Sequence, residues 1–250
     1  MEFSGTQKEW NQRCLTSSHT QFLQSYEWGL FQHALGREVR YLVGSFDDDI
    51  QCLAIKYPLM RNFFYFMCPR GPVGTPTQDW WHEFFQWAQK NGALFTRVEP
   101  SDIVSQLSSK MKHVRDVDPA VTRIIDLETS EQTLLSNMHQ KTRYNINLAM
   151  KKNIQVKVTS FEDITEKEIE VWWQLSKETA KRNSISVHPL QYYKTLFTTF
   201  PYISLFTARL GDMPIAMAVH VSFGDTVSYV YGASTHEHKE TMAPYLLQWH

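Results

Sequence analysis

Cysteine is scarce in this 250-residue chain, and long apolar runs are missing. The three cysteines, Cys14, Cys52 and Cys68, lack paired spacing, which argues against both a disulfide framework and a zinc site. No apolar run is long enough to span a bilayer, and the polar start from Met1 to Arg13 does not have the form of a signal peptide. We therefore expect a cytoplasmic protein.

Acidic residues are missing from one stretch. The chain has 25 basic and 26 acidic residues, yet no Asp or Glu lies between Glu131 and Glu162. The cations of this stretch are Lys141, Arg143, Lys151, Lys152 and Lys157. Clustered cations release counterions when they neutralise a polyanion, so the stretch predicts a phosphate-binding surface. The alternative is an ordinary amphipathic helix with a solvated basic face.

The same stretch has a helical period. Apolar and small side chains recur at steps of three and four, at Leu135, Met138, Thr142, Ile146 and Ala149. The pattern predicts a helix that begins near Ser130 and ends near Asn153. The side chains expected to face solvent are Lys141, Asn145, Lys151 and Lys152.

The predicted elements follow an order that occurs twice. In the first half we expect helices at 22–35, 78–90 and 101–110, and strands at 40–46, 51–60, 63–68, 93–98 and 121–127. In the second half we expect the basic helix, helices at 166–181 and 189–200, a helix from 243, a turn at 232–234, and strands at 154–159, 203–209, 214–223 and 226–231. Each half contains a helix, three antiparallel strands, a turn and a helix.

This order predicts an α/β fold of the α+β type, with mixed, mostly antiparallel sheets flanked by helices. We expect two tandem domains, at 1–128 and 129–250, the second incomplete because it stops inside a helix at His250. The order resembles that of GCN5-like N-acyltransferases. Those enzymes hold coenzyme A pyrophosphate on a glycine-rich loop at a helix N-terminus. The corresponding loops here, 74–78 and 234–242, are not glycine-rich, so we expect neither coenzyme A nor another cofactor.

Seven short motifs, in order along nearly the whole chain, resemble the Fem family of peptidoglycan-bridge aminoacyltransferases. The motifs are Phe22-Leu-Gln-Ser-Tyr-Glu-Trp28, Pro69-Arg-Gly-Pro-Val73, Arg97-Val-Glu-Pro100, Thr122-Arg-Ile-Ile-Asp-Leu127, Met138-His-Gln-Lys-Thr-Arg-Tyr-Asn-Ile146, Tyr229-Val-Tyr-Gly-Ala-Ser234 and Ala243-Pro-Tyr-Leu-Leu-Gln-Trp249. The resemblance implies a cell-wall enzyme that moves an amino acid from aminoacyl-tRNA to a stem-peptide amine of a nucleotide- or lipid-linked muramyl peptide. It implies no DNA partner, and it is compatible with peripheral membrane contact.

The resemblance also implies roles for individual residues. Glu99 matches an acidic position near the acceptor amine, where it would orient or deprotonate that amine. The residues at or near precursor-binding positions are Gln32, Arg70, His188, Tyr192 and Tyr231. Of these, His188 replaces an arginine and Gln32 stands near a usual lysine, which weakens the expected diphosphate contacts. The residues expected to bind tRNA phosphate are Lys141, Arg143, Lys151 and Lys152.

Two other functions remain open from the sequence. One is a coenzyme A-dependent N-acyltransferase of the same fold, and the other is a non-catalytic RNA-binding module. A metal site is not expected, because His236 and His238 lie on a polar loop without a further evident ligand.

Overall fold

The computed structural model describes residues 2–16, 21–44, 49–100, 111–117, 119 and 121–250. The predicted helix at 101–110 lies outside these ranges. The described residues form two four-stranded sheets and eight α-helices, which confirms the predicted mixed α/β fold. None of the described helices is both long and apolar enough to cross a membrane.

The first sheet and its helices come from the first hundred residues. The elements are α1 (Gln7–Thr16), α2 (Tyr26–Ala34), β1 (Val39–Val43), β2 (Gln51–Pro58), β3 (Phe64–Cys68), α3 (Gln78–Lys90) and β4 (Thr96–Val98). The strand order is β1-β2-β3-β4. The first three strands are antiparallel, and β4 pairs parallel to β3 with Cys68 opposite Val98.

Helix α3 shows why the pattern forms this layer. Thr77 accepts a hydrogen bond from the backbone N–H of Trp80 and so begins the helix. Trp80, Phe84 and Trp87 recur at helical spacing and are buried against the inner face of the sheet. The aromatic face of α3 therefore covers this side of the sheet.

The second sheet and its helices follow. The elements are α4 (Glu131–Asn137), α5 (Gln140–Lys151), β5 (Ile154–Ser160), α6 (Glu166–Asn183), α7 (Leu190–Thr199), β6 (Ile203–Leu210), β7 (Met213–Phe223), β8 (Thr226–Ser234) and α8 (Ala243–Trp249). The strand order is β5-β6-β7-β8, and β5 is antiparallel to β6. Ile146 and Ala149 of α5 pack with Leu246 and Leu247 of α8 over this sheet.

The chain divides into two compact units that are not continuous in sequence. The first takes the described residues of Met1–Met111, Gln191–Ile203 and Val221–Ser228. The second takes those of Lys112–Leu190, Ser204–His220 and Tyr229–His250. The predicted domain boundary between residues 128 and 129 remains a prediction.

Several elements differ from the sequence-based expectation. The apolar stretch 121–127 is not a strand, and Val121 and Ile124 are exposed, because strand propensity forms a strand only where a neighbouring strand completes the ladder. Helix α1 was not predicted, since its sequence is mostly polar. The predicted helix 22–35 is divided at Ser25, which caps α2. The predicted turn 232–234 is part of β8.

Candidate functional site

The carboxyl ends of β3 and β4 bring two of the predicted site residues to one edge of the first sheet. The backbone N–H of Glu99 donates to the carbonyl of Cys68, at 3.2 Å, so the two chain segments stay paired as they leave the sheet. Arg70 follows β3 and Glu99 follows β4. Because β3 and β4 are parallel, both residues leave at the same edge, which is where α/β sheets commonly bind ligands.

Glu99 forms an ion pair with Arg97. The Arg97 Nε lies 3.0 Å from Glu99 Oε1, and the two side chains are only 19% and 15% exposed. A carboxylate with so little solvent needs a compensating charge, and Arg97 supplies it. The charge of Glu99 also acts on its surroundings. Burial chiefly raises the pKa of the Cys68 thiol well above its ordinary value, and neighbouring Cys52 and Glu99 raise it further.

Gln24 anchors the turn that carries Arg70. Its side-chain Nε2 donates to the Pro69 carbonyl at 2.6 Å, and its Oε1 accepts from the Leu53 N–H at 2.7 Å. A side chain at Gly71 would have its Cβ 2.6 Å from Gln24 Nε2, so only glycine fits beside the amide. Arg70 itself has a positive φ of 51°. The motifs that contain Gln24, Arg70 and Glu99 therefore meet at one place in the first unit.

Gln32 and Tyr192 lie in the interior of the first unit. The Gln32 side chain is buried, and its Oε1 accepts a hydrogen bond from Arg37 Nη1. Arg37 also lies over the ring of Tyr57, 4.6 Å from its centroid. The buried Tyr192 ring packs edge-on against Phe31, with centroids 5.2 Å apart. Arg37, absent from the sequence-based site, thus places a cation beside Gln32.

His188 and Tyr231 form a group of their own in the second unit. Their rings meet nearly at right angles, with centroids 6.3 Å apart. Tyr231 also lies against Trp172 of α6, at 6.4 Å between centroids. His188 is exposed and Tyr231 is half-buried. The pair offers one imidazole and one phenol at the surface of this unit.

The basic stretch is divided between two helices. Ser130 caps α4, and α5 ends just before Asn153, which adopts a positive φ of 56°, so both predicted ends are confirmed. The chain leaves helical geometry at Met138 and His139, the latter capping α5. Asn145 is buried, contrary to the prediction that it faces solvent, because it lies four residues before the buried Ala149 and so shares its face of α5.

The cations of this stretch differ in what they contact. The side chains of Lys141, Lys151 and Lys152 are exposed. Arg143 is half-buried, and its Nη1 donates to the carbonyls of Leu135, Ser136 and Met138 at the end of α4. The three lysines are exposed cations near the two ends of α5, whereas Arg143 joins α4 to α5.

The loop between β8 and α8 donates hydrogen bonds to the carboxylate of Glu178. Glu178 Oε1 accepts the backbone N–H of His236 at 2.6 Å and the hydroxyl of Thr235 at 3.0 Å. Within the described part of the chain, no group of three or more His, Cys, Asp or Glu side chains could hold a metal ion. One backbone donor of this loop, the His236 N–H, therefore already faces an anion.

A second buried carboxylate was not anticipated from the sequence. Glu27 accepts hydrogen bonds from Asn11 Nδ2, at 2.9 and 2.8 Å, from Tyr202 Oη, at 2.8 Å, and from Gln7. Burial and this neighbouring carboxylate raise the pKa of Tyr202 above its usual range. The signal available in the sequence is one acidic residue within the apolar helix α2.

Comparison with known proteins finds a matching family model and matching solved structures. The sequence model of the FemAB family matches residues 6–123 and 112–210. The crystal structure of FemX covers 100% of this chain and 84% of its own, with 13% identity and a TM-score of 0.78. A conserved protein of unknown function from Bacteroides thetaiotaomicron covers 97% of this chain and 82% of its own, with 13% identity and a TM-score of 0.58. No curated protein matches the sequence.

Proposed function

The chain belongs to the FemAB family, whose members are transferases of peptidoglycan bridge formation, and from this premise we propose that it is an aminoacyl-tRNA-dependent aminoacyltransferase. The acceptor in this proposal is the stem-peptide amine of a muramyl peptide precursor. The enzyme acts in the cytoplasm without a cofactor. The single observation that carries the proposal is the Arg97–Glu99 pair at the carboxyl ends of β3 and β4.

The proposed reaction is the direct aminolysis of an ester. The acceptor nitrogen bonds to the aminoacyl carbonyl carbon, and the carbon–oxygen bond to the tRNA ribose breaks. The proton lost by the amine ends on the released ribose hydroxyl. Only a neutral amine attacks, so a carboxylate that accepts its hydrogen bond and receives its proton speeds the reaction. Glu99 takes this role, and Arg97 fixes the orientation of its carboxylate.

The precursor makes the remaining contacts of the proposal. Arg70 binds an anionic group of the precursor beside Glu99, since its turn is held in place by Gln24. His188 and Tyr231 bind the precursor through an imidazole and a phenol. Gln32 acts through Arg37, whose guanidinium supplies the charge that an amide lacks.

Tyr192 completes the precursor residues of the proposal. It lies on α7 and packs against Phe31, next to Gln32 in α2. Because the ring is buried, its contribution to binding is the shape of the surrounding surface.

The exposed lysines of α5 support a tRNA partner. Lys141, Lys151 and Lys152 face solvent on a stretch without acidic residues, and a polyanion that meets them releases counterions. Arg143 serves the same surface by holding α4 against α5 through three carbonyls. Binding through these cations is therefore expected to weaken as salt rises.

Coenzyme A remains the main competing acyl donor. It would need free backbone donors for its pyrophosphate after β8. Glu178 already accepts the His236 N–H there, and its negative charge repels a phosphate. This contact favours a tRNA ester over a coenzyme A thioester.

The deciding experiment is a transfer assay with two donors. The protein is given a muramyl-pentapeptide precursor with labelled aminoacyl-tRNAs in one tube and labelled acetyl-coenzyme A in the other. We expect label to move only from tRNA, which also identifies the amino acid. Transfer from coenzyme A alone contradicts the proposal. Binding of tRNA without any transfer favours an RNA-binding module.

A variant then tests the assigned carboxylate. Glu99→Gln keeps the shape of the side chain and removes its charge, so we expect turnover to fall by about 100-fold, a typical loss for a general base. The affinity for tRNA should not change. Glu162→Gln, at an exposed glutamate of the second unit, is the matched control and should retain full turnover. Equal turnover of the two variants would remove Glu99 from the mechanism.

A further inference from the structure

An exposed apolar surface lies at one end of the first sheet. The turn at 59–63 joins β2 to β3, and the Leu59 N–H donates to the Phe63 carbonyl at 2.8 Å. Leu94 lies alongside, because its N–H donates to the carbonyl of Phe64 at 2.9 Å. We define the apolar tip as Leu59, Met60, Phe63, Leu94 and Phe95.

The side chains of the apolar tip are unusually exposed for their size. The exposed fractions are 37% for Leu59, 83% for Met60, 55% for Phe63, 61% for Leu94 and 47% for Phe95. Single exposed apolar residues are normal on soluble proteins, but here five of them fall in two segments that adjoin through a backbone hydrogen bond. A patch of this kind marks a surface that meets an apolar partner.

The tip is supported from below by stacked rings. Phe95 stacks on Tyr65 with centroids 4.8 Å apart, and Tyr65 stacks on Tyr57 at 5.6 Å. Arg61, at the turn, has a positive φ of 58°. Because aromatic pairs of this geometry are attractive, the stack holds the Phe95 ring in place.

Exposed cations flank the tip in sequence. No Asp or Glu occurs at residues 50–78 or 84–98, which together contain Lys56, Arg61, Arg70, Lys90 and Arg97. Lys56 pairs with Glu38 and Arg97 with Glu99, while Arg61 and Lys90 are exposed beside the tip. Exposed apolar side chains beside the exposed cations Arg61 and Lys90 match the interface of a membrane that contains anionic lipid.

We propose that the apolar tip inserts into the headgroup region of an anionic membrane. The turn joins two strands and leaves 83% of Met60 exposed, which suits insertion among lipid headgroups. The membrane contact goes beyond the proposed function. One consequence rests on that function: the acceptor that this surface favours is a lipid-linked precursor.

Vesicle cosedimentation tests the contact. The whole protein is mixed with vesicles of phosphatidylcholine, with or without phosphatidylglycerol. We expect binding only when phosphatidylglycerol is present. The triple variant Met60→Ser, Phe63→Ser, Leu94→Ser should bind at least about tenfold more weakly, because each change removes apolar area that would enter the membrane. The double variant Arg61→Glu, Lys90→Glu should also lose binding to the anionic vesicles.

The matched control changes exposed apolar residues elsewhere. Leu30→Ser, Ile185→Ser and Met213→Ser together replace side chains of comparable exposure outside the tip, and their combination should bind vesicles as the wild type does. Equal binding of the tip and control variants overturns the proposal, as does a wild type that binds neither vesicle. Concentration-dependent self-association that only the tip variant abolishes also overturns it, since the patch would then join two copies.

The transfer assay separates this proposal from the proposed function. The tip variant should transfer to a soluble precursor at the wild-type rate and lose at least about tenfold with a lipid-linked precursor in vesicles. Vesicle binding through the tip without any transfer contradicts only the proposed function. Equal transfer to vesicle-held precursor by both proteins contradicts the preference for a lipid-linked acceptor.

Discussion

The ends of β3 and β4 hold their charges in a different way from helix α5. Glu99 is largely buried, and Arg97 Nε lies 3.0 Å from its carboxylate. The turn beside it is held by Gln24, which bonds to Pro69, 45 residues further along the chain. Lys151 and Lys152 stand in solvent at the end of α5. A charge that is fixed by an ion pair acts on a ligand through its defined position and orientation. An exposed charge acts over a longer distance, and salt screens its interactions.

The largest effect on stability is expected when the Gln24 side chain, which holds the turn of the first region, is removed. Gln24→Ala leaves the Pro69 carbonyl and the Leu53 N–H without their side-chain partner. Each unsatisfied buried group costs about 1–3 kcal/mol, so we expect a loss of about 3 kcal/mol in the free energy of unfolding. Urea denaturation measures it. The control Gln89→Ala, at an exposed position of α3, should stay within about 0.5 kcal/mol of the wild type. A similarly small change for Gln24→Ala would show that the turn is stable without the Gln24 side chain.

In the second region, we expect substitutions to change the salt dependence of tRNA binding rather than the free energy of unfolding. Lys151→Glu with Lys152→Glu removes two phosphate contacts, and we expect tRNA affinity to fall about tenfold at low salt. The slope of log K against log salt should flatten by about two. Filter binding across a salt series measures both. The control pair is Lys167→Glu and Lys181→Glu on α6, where the slope should not change. Equal effects of the two pairs would assign tRNA binding to overall charge.

Arg143 tests whether every cation of the basic stretch belongs to the same class. Its guanidinium already contacts three carbonyls at the end of α4, so it resembles the anchored residues of the first sheet. We expect Arg143→Ala to lower the free energy of unfolding by about 1 kcal/mol. The salt slope of tRNA binding should remain that of the wild type. A flattened slope with unchanged stability would place Arg143 among the phosphate contacts instead.

The same contrast explains how far the sequence could predict the molecule. Helix α3 was predicted with its correct ends, because its cap and its aromatic period are local. The role of Glu99 was inferred from a resemblance of motifs and stays a prediction. The contact between Gln24 and Pro69 has no local signal, since it depends on a turn that packs against a distant loop. The prediction of a strand at 121–127 was wrong for the same reason. A strand depends on a neighbouring strand, which its own residues do not specify.

The apolar tip was missed for a related reason. The sequence Leu59-Met60 and the later Leu94-Phe95 read as the ends of strands, and strand residues are expected to be buried on one face. Only the pairing of β3 with the segment before β4 shows that they are neighbours, and only the exposure of Met60 shows that they face solvent. Sequence periodicity identifies apolar faces, but it does not tell which of them the fold leaves uncovered.

The smallest effect is expected from a surface pair that belongs to neither region. Glu38 accepts a hydrogen bond from Lys56 at 2.8 Å and pairs with Arg40, and these contacts hold the pKa of its carboxyl below the ordinary value of 4.5. A lowered pKa means that the folded protein releases this proton more readily than the unfolded chain does. The stabilisation is therefore complete above about pH 4.5 and is lost as pH falls through the lower folded pKa. Because the pair is about one-third exposed, Glu38→Gln should cost only about 0.5 kcal/mol at pH 7 and less at pH 3. Paired thermal denaturations at the two pH values measure this difference. Glu2→Gln, which removes a more distant partner of Arg40 at 3.8 Å, should cost less at pH 7. A cost for Glu38→Gln that is as large at pH 3 as at pH 7 would show that its side chain stabilises the sheet by packing instead of by charge.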